Sequence, residues 1–388
     1  IQITINDLLH ILGQPGEILS IVVKETKELI ENYGDERRTK LVKGKIGEFS
    51  EEDLISNETT IITLTKSGYI KRLSPDSFRA QSRGGKGASG LKMKEEDVVK
   101  CLVTANTHDN LLLFTNEGRV FKLKAHEIPE SSKQAKGTSV VNLVNLRPNE
   151  KIESMLIIDL EKDKEKFIAL ATRAGLVKKT AVKLYDNIRQ NGIIAIDLNK
   201  GDSLVWGKVT TGDDDIMLVT HTGKSIRFSE KEVKASNRDT KGVKGITLLK
   251  DDYVIGVETI NAEEKTEDDK QHLLVVTENG LGKLTKLSDY PLQKRSGIGL
   301  KVSEVNKKTG NIAMAAKVSS SHEELIIGTS DGQTLKIDLR SASIPILSRP
   351  TQGVILIRTN DGDKVVTATV TVGAGEDVTP TTKTPDKK

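Results

Sequence analysis

Apolar and polar positions alternate in short runs along most of this chain, and the runs recur at a regular spacing. Six times an apolar run ends in Thr, any two residues and Gly, and a second run that contains a basic residue follows. The glycines that end these turns are Gly68, Gly118, Gly175, Gly223, Gly280 and Gly332. Successive glycines are 50, 57, 48, 57 and 52 residues apart.

Two β-rich runs joined by a polar turn that ends in Gly predict a hairpin, because Gly supplies the positive φ that such turns require. One hairpin cannot bury its apolar face alone, whereas several hairpins arranged radially can. A repeat near fifty residues is typical of bladed β arrays. We therefore predict an all-β ring of six propeller-like blades over residues 60–366, with blades that begin near residues 60, 108, 165, 213, 269 and 321.

The first 45 residues have a helical pattern. Asn6 is expected to cap a short helix that ends at Gly13. Pro15 is expected to begin a second helix, with apolar positions at helical spacing, that Gly34 ends. Helices this short are marginal by themselves, so we interpret residues 1–45 as the end of a further domain.

Two other segments carry no repeat. Residues 46–59 include the acidic run Glu51-Glu52-Asp53 and predict a linker between the helices and the first blade. Residues 367–388 are rich in Thr, Pro and Lys without apolar periodicity, so we expect a disordered tail.

A second glycine follows each hairpin after 17 to 21 residues, beside basic or polar side chains. These glycines are Gly87, Gly137, Gly192, Gly242, Gly297 and Gly353. If every blade presents this loop at the same radius, the neighbouring bases form a positive belt that suits a polyanion. Apart from the first glycine-rich motif, the candidate contacts are Arg79, Lys133, Lys136, Arg189, Arg238, Lys241, Lys244, Lys294, Arg295 and Arg349.

The net charge of +4 over 388 residues conceals an uneven distribution. Residues 1–59 carry seven basic and twelve acidic residues, whereas residues 60–105 carry nine basic and four acidic ones. Positive charge concentrated around one glycine-rich loop favours a polyanion as the partner. The aromatic content of 3% disfavours single-stranded nucleic acid, which proteins bind by base stacking.

No catalytic or metal-binding pattern stands out in the sequence. The single cysteine, Cys101, excludes a disulfide framework, and the six histidines have no metal-ligand spacing. We expect Cys101 and Trp206 to pack as apolar residues in the interior. No signal peptide and no apolar stretch near eighteen residues is visible, so the chain is expected to be a soluble, cytoplasmic protein.

The segment after the first hairpin contains a glycine-rich motif, called the box below, with the residues Gln81, Ser82, Arg83, Gly84, Gly85, Lys86 and Gly87. This motif resembles the box of the DNA gyrase A subunit's C-terminal domain. The run Tyr33-Gly34-Asp35-Glu36-Arg37-Arg38-Thr39, then Glu52-Asp53-Leu54-Ile55, is similar to the family's passage from its breakage-reunion domain into the C-terminal domain. With the six repeats, the resemblance covers residues 15–366 and implies a six-bladed β-pinwheel.

The resemblance also implies a function. Family members wrap duplex DNA around the pinwheel without reading its sequence, which lets the enzyme introduce negative supercoils. The implied partners are DNA, the rest of the gyrase A protein and the gyrase B protein, which brings ATP and Mg²⁺, in the bacterial cytoplasm at the nucleoid. The family's cleavage tyrosine lies in a motif absent from this chain, so no catalytic residue or cofactor is expected in this region. One departure is Ser82, where the family usually has a second base.

Three alternatives remain open. The chain also resembles the C-terminal DNA-bending domain of the topoisomerase IV A-type subunit. A propeller that binds proteins would have a neutral rim, and a propeller enzyme would have titratable residues at one recurring blade position on the axis. The box considered alone is also compatible with an ordinary solvated turn, and Gln190-Asn191-Gly192 with a structural one.

Overall fold

The computed structural model describes residues 1–34, 55–74, 99–132, 135–160, 162–261, 271–319, 322–331, 334–339, 344–360 and 362–372. The chain divides into two compact units, residues 1–54 and residues 55–388. Thus the box, Arg79 and Lys133 lie outside the described residues, as do residues 373–388.

The first unit contains two helices, α1 (Gln2–Gly13) and α2 (Pro15–Tyr33). Pro15 begins α2, as predicted, because Pro lacks the amide donor that the first helical turn leaves unpaired. Gly34 caps α2 by donating its amide to the Ile30 carbonyl. The prediction for Asn6 is wrong, since α1 begins four residues earlier and Asn6 lies inside it. In the described part of the chain, no helix is long and apolar enough to cross a membrane.

The second unit consists of antiparallel sheets that we call blades 1 to 6. Blade 1 contains the strands β1 (Thr59–Thr65), β2 (Tyr69–Leu73), β3 (Val99–Asn106) and β6 (Thr138–Ser139). Blade 2 contains β4 (Asn110–Thr115), β5 (Arg119–Lys124), β7 (Ile152–Ile158) and β10 (Ile193–Ile194). Blade 3 contains β8 (Phe167–Thr172), β9 (Leu176–Ala181), β11 (Leu204–Thr210) and β14 (Val243–Lys244).

Blades 4 to 6 repeat this arrangement. Blade 4 contains β12 (Asp215–Thr220), β13 (Lys224–Ser229), β15 (Val254–Ile260) and β18 (Leu300–Lys301). Blade 5 contains β16 (His272–Thr277), β17 (Leu281–Lys286), β19 (Ile312–Val318) and β22 (Val354–Ile355). Blade 6 contains β20 (His322–Thr329), β21 (Thr334–Asp338) and β23 (Val365–Val372). The predicted six-bladed all-β fold is therefore confirmed. Among the described residues, blade 6 has three strands.

The Thr-x-x-Gly turns join the first two strands of each blade, and their chemistry is local. In the five turns whose glycine is described, Gly has a φ between 77° and 84° and donates its amide to the Thr carbonyl at 3.0 Å. The Thr hydroxyl accepts the amide of the residue that follows Gly, as in Thr65 to Tyr69 at 3.0 Å and Thr277 to Leu281 at 3.1 Å. Threonine therefore recurs because its side chain closes the turn.

The outermost strand of a blade comes from the next blade along the chain. The short strands β6, β10, β14, β18 and β22 follow the loops of blades 2 to 6, and each pairs with the second hairpin strand of the preceding blade. Consecutive blades are thus linked by backbone hydrogen bonds. The topology also corrects the fifth loop glycine: Gly299, not Gly297, precedes the strand, has a φ of 77° and packs against the Ser225 carbonyl.

The ring is closed at its centre and packed between its blades. The inner strands β3, β7, β11, β15, β19 and β23 contact one another in that order, and β23 contacts β3. Five apolar clusters fill the spaces between consecutive blades. Trp206 is half-buried against one cluster and Cys101 against another.

The ring extends beyond its predicted limit of residue 366. The strand β23 continues to Val372 and pairs with β20 along its length. Residues 367–372 are therefore part of blade 6, and the prediction that the tail begins at residue 367 is wrong. The pattern Thr-Ala-Thr-Val-Thr-Val alternates small polar and apolar residues, which suits a strand.

Candidate nucleic-acid interface

The loops predicted to carry a positive belt lie at the outer edge of the ring. Each of the five described loops leads into the outermost strand of a sheet, so their bases share one radial position. We call the eight described candidates the rim bases. They are Lys136, Arg189, Arg238, Lys241, Lys244, Lys294, Arg295 and Arg349. The topology thus brings together bases that are up to 213 residues apart in the sequence.

Five rim bases are exposed to solvent. They are Lys136, Arg189, Lys241, Lys244 and Lys294. The ammonium group of Lys136 lies 4.0 Å from the centre of the Tyr69 ring, on the hairpin of the preceding blade. Such cation–π contacts orient a basic side chain without neutralising its charge. Exposed bases at one radius raise the positive potential along the edge, where a polyanion can approach.

The other three rim bases are half-buried and contact the protein itself. The Arg238 guanidinium donates to the Ile194 carbonyl at 3.1 Å. Arg295 donates to the Glu232 carbonyl at 3.2 Å and to the Lys244 carbonyl at 3.0 Å, so it bridges neighbouring blades. The Arg349 guanidinium lies 5.9 Å from the centre of the Tyr290 ring.

Two rim bases from neighbouring loops meet at a shallow cleft. Arg189 in the blade 3 loop and Arg238 in the blade 4 loop line it together with Asn187, Ile188, Gly192 and Ile193. Two guanidinium groups beside one concave surface match the geometry of a phosphate group.

A second group of bases, which the sequence analysis did not assign, lies on the second hairpin strand of blades 1 to 5. We call them the hairpin bases. They are Lys71, Arg72, Arg119, Lys122, Lys178, Lys179, Arg227 and Lys283, and each donates to a carbonyl or carboxylate that comes later in the chain or from the facing strand. Their positive charge is therefore used within the ring.

One buried ion pair in this group joins Arg119 to Glu150. Their side chains are 10% and 0% exposed, and an Arg119 Nη1 to Glu150 Oε2 distance of 2.8 Å connects them. Glu150 also accepts the Thr115 hydroxyl at 2.7 Å and the Arg147 amide at 2.8 Å. A buried carboxylate needs this many donors, because an unpaired one is strongly destabilising.

The buried lysines Lys178 and Lys283 donate to backbone carbonyls, and burial changes their pKa values. Loss of solvation lowers the pKa of the Lys178 amino group from 10.5 to about 8. Burial, followed by the positive charge of Arg349, lowers the pKa of Lys283 to about 8 as well. Each amino group is thus close to its titration midpoint at mildly alkaline pH.

The described residues contain no group of three or more His, Cys, Asp or Glu side chains arranged to hold a metal ion. Burial raises the pKa of the Cys101 thiol to about 11, which keeps it protonated at neutral pH. A protonated thiol is a poor nucleophile, so Cys101 serves packing.

The fold and the rim bases together define the class of this protein, a six-bladed propeller whose blades exchange outer strands and whose outer edge carries exposed bases. The sequence profile of the family described as "DNA gyrase C-terminal domain, beta-propeller" matches residues 59–104, 109–159, 166–211, 214–261, 271–316 and 323–371. These segments begin within two residues of the predicted blades. The chain belongs to this family of DNA gyrase A C-terminal domains.

Individual relatives agree with the family assignment. The chain is 40% identical to the DNA gyrase A subunit of Staphylococcus aureus over 376 residues, which are 97% of this chain and 41% of that protein. It is 39% identical to the DNA gyrase A subunit of Staphylococcus epidermidis over 364 residues, which are 94% of this chain and 40% of that protein. The chain therefore spans about two fifths of the length of these relatives.

Two solved structures share the fold. The C-terminal domain of DNA topoisomerase IV superimposes with a TM-score of 0.66 at 26% identity, covering 82% of this chain and 95% of that one. The DNA gyrase A C-terminal domain superimposes with a TM-score of 0.65 at 25% identity, covering 81% of this chain and 100% of that one. Backbone similarity alone does not separate the two types of domain.

Proposed function

We propose that this propeller binds, bends and wraps duplex DNA around its outer edge without reading the base sequence. The observation that supports this proposal most strongly is the alignment of five exposed bases at one radius on consecutive blades. Lysine and arginine at this position neutralise phosphates, which are identical in every sequence. The half-buried Arg238, Arg295 and Arg349 add positive charge at the same edge.

The proposed mechanism is geometric. Duplex DNA has a persistence length of about 150 base pairs, so bending it around a small domain costs several kcal/mol. Phosphate contacts on successive blades offset this cost only if they follow one continuous arc. A closed ring, held by strand exchange between blades, keeps these contacts at fixed spacing while the DNA is under tension.

The box is proposed to close the wrap. The loops of blades 2 to 6 each follow a hairpin, and the box occupies the corresponding place in the sequence of blade 1. Arg83 and Lys86 would bind phosphate, with the box glycines allowing close approach of backbone amides. Because Ser82 replaces a usual base, we expect a weaker wrap than in relatives that carry both charges.

The wider role follows from membership of the gyrase A family. We propose that the domain acts with the remainder of the gyrase A protein and with the gyrase B protein, which supplies ATP and Mg²⁺, in the bacterial cytoplasm at the nucleoid. A wrap of fixed hand would present a neighbouring DNA segment to the cleavage gate, so the enzyme introduces negative supercoils. The alternative role, that of the topoisomerase IV domain, predicts bending of duplex DNA, and a protein-binding propeller predicts no affinity for duplex DNA.

Fluorescence anisotropy with two unrelated duplexes at several salt concentrations tests the binding proposal. We expect equal affinities for both duplexes and a steep linear fall of the logarithm of affinity with the logarithm of salt concentration. A strong preference for one duplex, or no dependence on salt, would contradict it.

Ligation of a nicked circle in the presence of the protein tests wrapping. The parent chain should leave a change in linking number, and replacement of residues 81–87 by alanine should remove that change while much of the affinity remains. In the complete enzyme, the same replacement should abolish negative supercoiling while ATP-driven relaxation persists. Ser82→Arg should tighten the wrap. An alanine variant that supercoils at the parent's rate would show that the box is only a turn.

A further inference from the structure

One position in the hairpins alternates between lysine and an apolar residue around the ring. The third residue after the turn Gly is Lys71, Lys178 and Lys283 in blades 1, 3 and 5. In blades 2, 4 and 6 it is Phe121, Ile226 and Leu335. These six residues occupy the same register opposite the first hairpin strand. They are therefore structurally equivalent.

Each of the three lysines binds backbone carbonyls in the rim loop of the next blade. Lys71 Nζ donates to the Ala135 carbonyl at 2.8 Å, directly before the rim base Lys136. Lys178 Nζ donates to the carbonyl of the rim base Arg238 in the blade 4 loop. It also donates to the carbonyl of Ala195, which directly follows β10, at 2.9 Å.

Lys283 makes the fullest set of contacts. Its Nζ donates to the Ser348 carbonyl at 2.8 Å, to the carbonyl of the rim base Arg349 at 2.5 Å and to the Thr351 hydroxyl at 3.1 Å. The Thr351 hydroxyl in turn donates to the Ser348 carbonyl at 2.8 Å, so it needs a donor from Lys283. Only a charged ammonium has three hydrogens for these three acceptors.

Phe121 and Ile226, at the same position, support the neighbouring loops by packing instead. The Phe121 ring lies against Gly192 of the blade 3 loop, and the Ile226 side chain lies 3.4 Å from the Cβ position of Gly297. Phe121 and Ile226 are each 1% exposed, and Lys178 and Lys283 are 2% and 0% exposed. Burying a cation costs free energy that burying Phe or Ile does not, so packing alone does not explain the lysines.

We propose that Lys71, Lys178 and Lys283 are positioning residues that hold every second rim loop in its DNA-binding conformation. The inference rests on the proposed function and goes beyond it, because it assigns these bases to the shape of the contact surface instead of to direct phosphate contact. The loops of blades 2, 4 and 6 are held by an ammonium, and those of blades 3 and 5 by apolar packing.

The position of the lysines also couples DNA binding to protonation. The pKa values near 8 mean that Lys178 and Lys283 are only partly charged in the free protein at pH 8. The charged groups that face Lys178 are Asp239, Arg238 and Asp197, and those that face Lys283 are Arg349 and Asp289. Phosphates bound at Arg238 and Arg349 would restore the charge on the buried lysines, so binding should take up protons and weaken as pH rises through 8.

The test compares two double variants of the whole chain. The first, Lys178→Met with Lys283→Met, removes two buried ammonium groups and keeps the side-chain length. The matched control, Lys208→Met with Lys317→Met, removes lysines of the same blades from the inner strands, where Lys208 pairs with Glu258 at 2.5 Å and Lys317 donates to the Thr259 carbonyl at 2.9 Å. Hydrogen exchange, duplex affinity and its salt slope are measured for each.

In the first variant, amide protection should fall in the loops of blades 4 and 6 and remain in the blade 3 loop that Phe121 supports. Duplex affinity should fall by about tenfold with a smaller salt slope, and the control should bind like the parent. Equal affinity of variant and parent, or an equal loss in the control, would overturn the proposal.

A calorimetric titration of the parent chain needs no variant. DNA binding at pH 8, measured in buffers of different ionisation enthalpy, should take up as much as about one proton for the two lysines together. Binding without proton uptake would contradict the proposal. If the parent binds no duplex at all, the proposed function fails, and hydrogen exchange alone then decides whether the lysines hold the loops.

Discussion

The rim bases and the hairpin bases contain the same residue types but have opposite environments. Lys241 and Lys294 extend into solvent at the edge of the ring, whereas Lys178 and Lys283 are buried one strand further in and bind backbone carbonyls. A count of positive charges therefore overstates the charge that is exposed at the edge. In the proposed wrap, a base near the rim acts either on a phosphate or on the loop that presents other bases.

The largest expected effect is on stability, from the buried pair in blade 2. Glu150→Ala leaves Arg119 buried without its carboxylate and should lower the free energy of unfolding by about 3–5 kcal/mol. Urea unfolding measures this change. The control Glu117→Ala removes the exposed partner of Arg147, at 3.4 Å, and should change stability by less than about 1 kcal/mol. If Glu150→Ala had the same free energy of unfolding as Glu117→Ala, the buried base would contribute no more to stability than an exposed one, which would contradict this prediction.

The next effect concerns the rim bases as a group. Combined replacement of Arg189, Lys241, Lys244 and Lys294 by alanine should reduce the logarithmic salt slope of duplex binding by about four, one for each phosphate contact. Because these side chains are exposed, the free energy of unfolding should change little. Anisotropy and urea unfolding on the same samples check both statements. An unchanged salt slope would show that DNA does not follow this edge.

The pH dependence of stability sharpens the comparison further. Lys178 and Lys283 have a folded-state pKa of about 8, below the ordinary value of 10.5. Between these two pH values the unfolded chain binds more protons, so stability should rise with pH, by at most about 1.4 kcal/mol per pH unit for each lysine. This contribution is lost as pH falls through 8. Urea unfolding at pH 7.5, 8.5 and 9.5 should show the rise in the parent and a flatter profile in Lys178→Met with Lys283→Met.

The smallest effect is that of a single rim base. Lys241→Ala should weaken duplex binding modestly and reduce the salt slope by about one, equally for unrelated sequences. Lys208→Ala, on an inner strand of the neighbouring blade, should leave the slope unchanged. A loss that depended on the duplex sequence would indicate base readout, which the proposed wrap does not require.

Much of the fold could be predicted because its repeating unit is local. In blades 1 to 5 the turn Gly, the Thr that closes it and the two flanking strands lie within 15 residues, so spacing alone indicates the hairpins. The predicted boundary at residue 366 is wrong because the alternation in residues 367–372 is short and runs directly into the Thr-, Pro- and Lys-rich tail, so only pairing with β20 identifies these residues as strand. The prediction for Asn6 fails because a good capping residue can also lie inside a helix when the helix begins earlier.

The sequence by itself determined the number of blades, the turn chemistry and the residues that carry positive charge. Only the tertiary structure decided which charges face solvent, because the deciding partners are distant in the chain. Lys283 meets Ser348, 65 residues later, and Lys178 meets Arg238, 60 residues later. The sequence shows only that a lysine lies near a glycine. Whether that lysine is buried under a rim loop or exposed at the edge depends on the exchange of strands between blades.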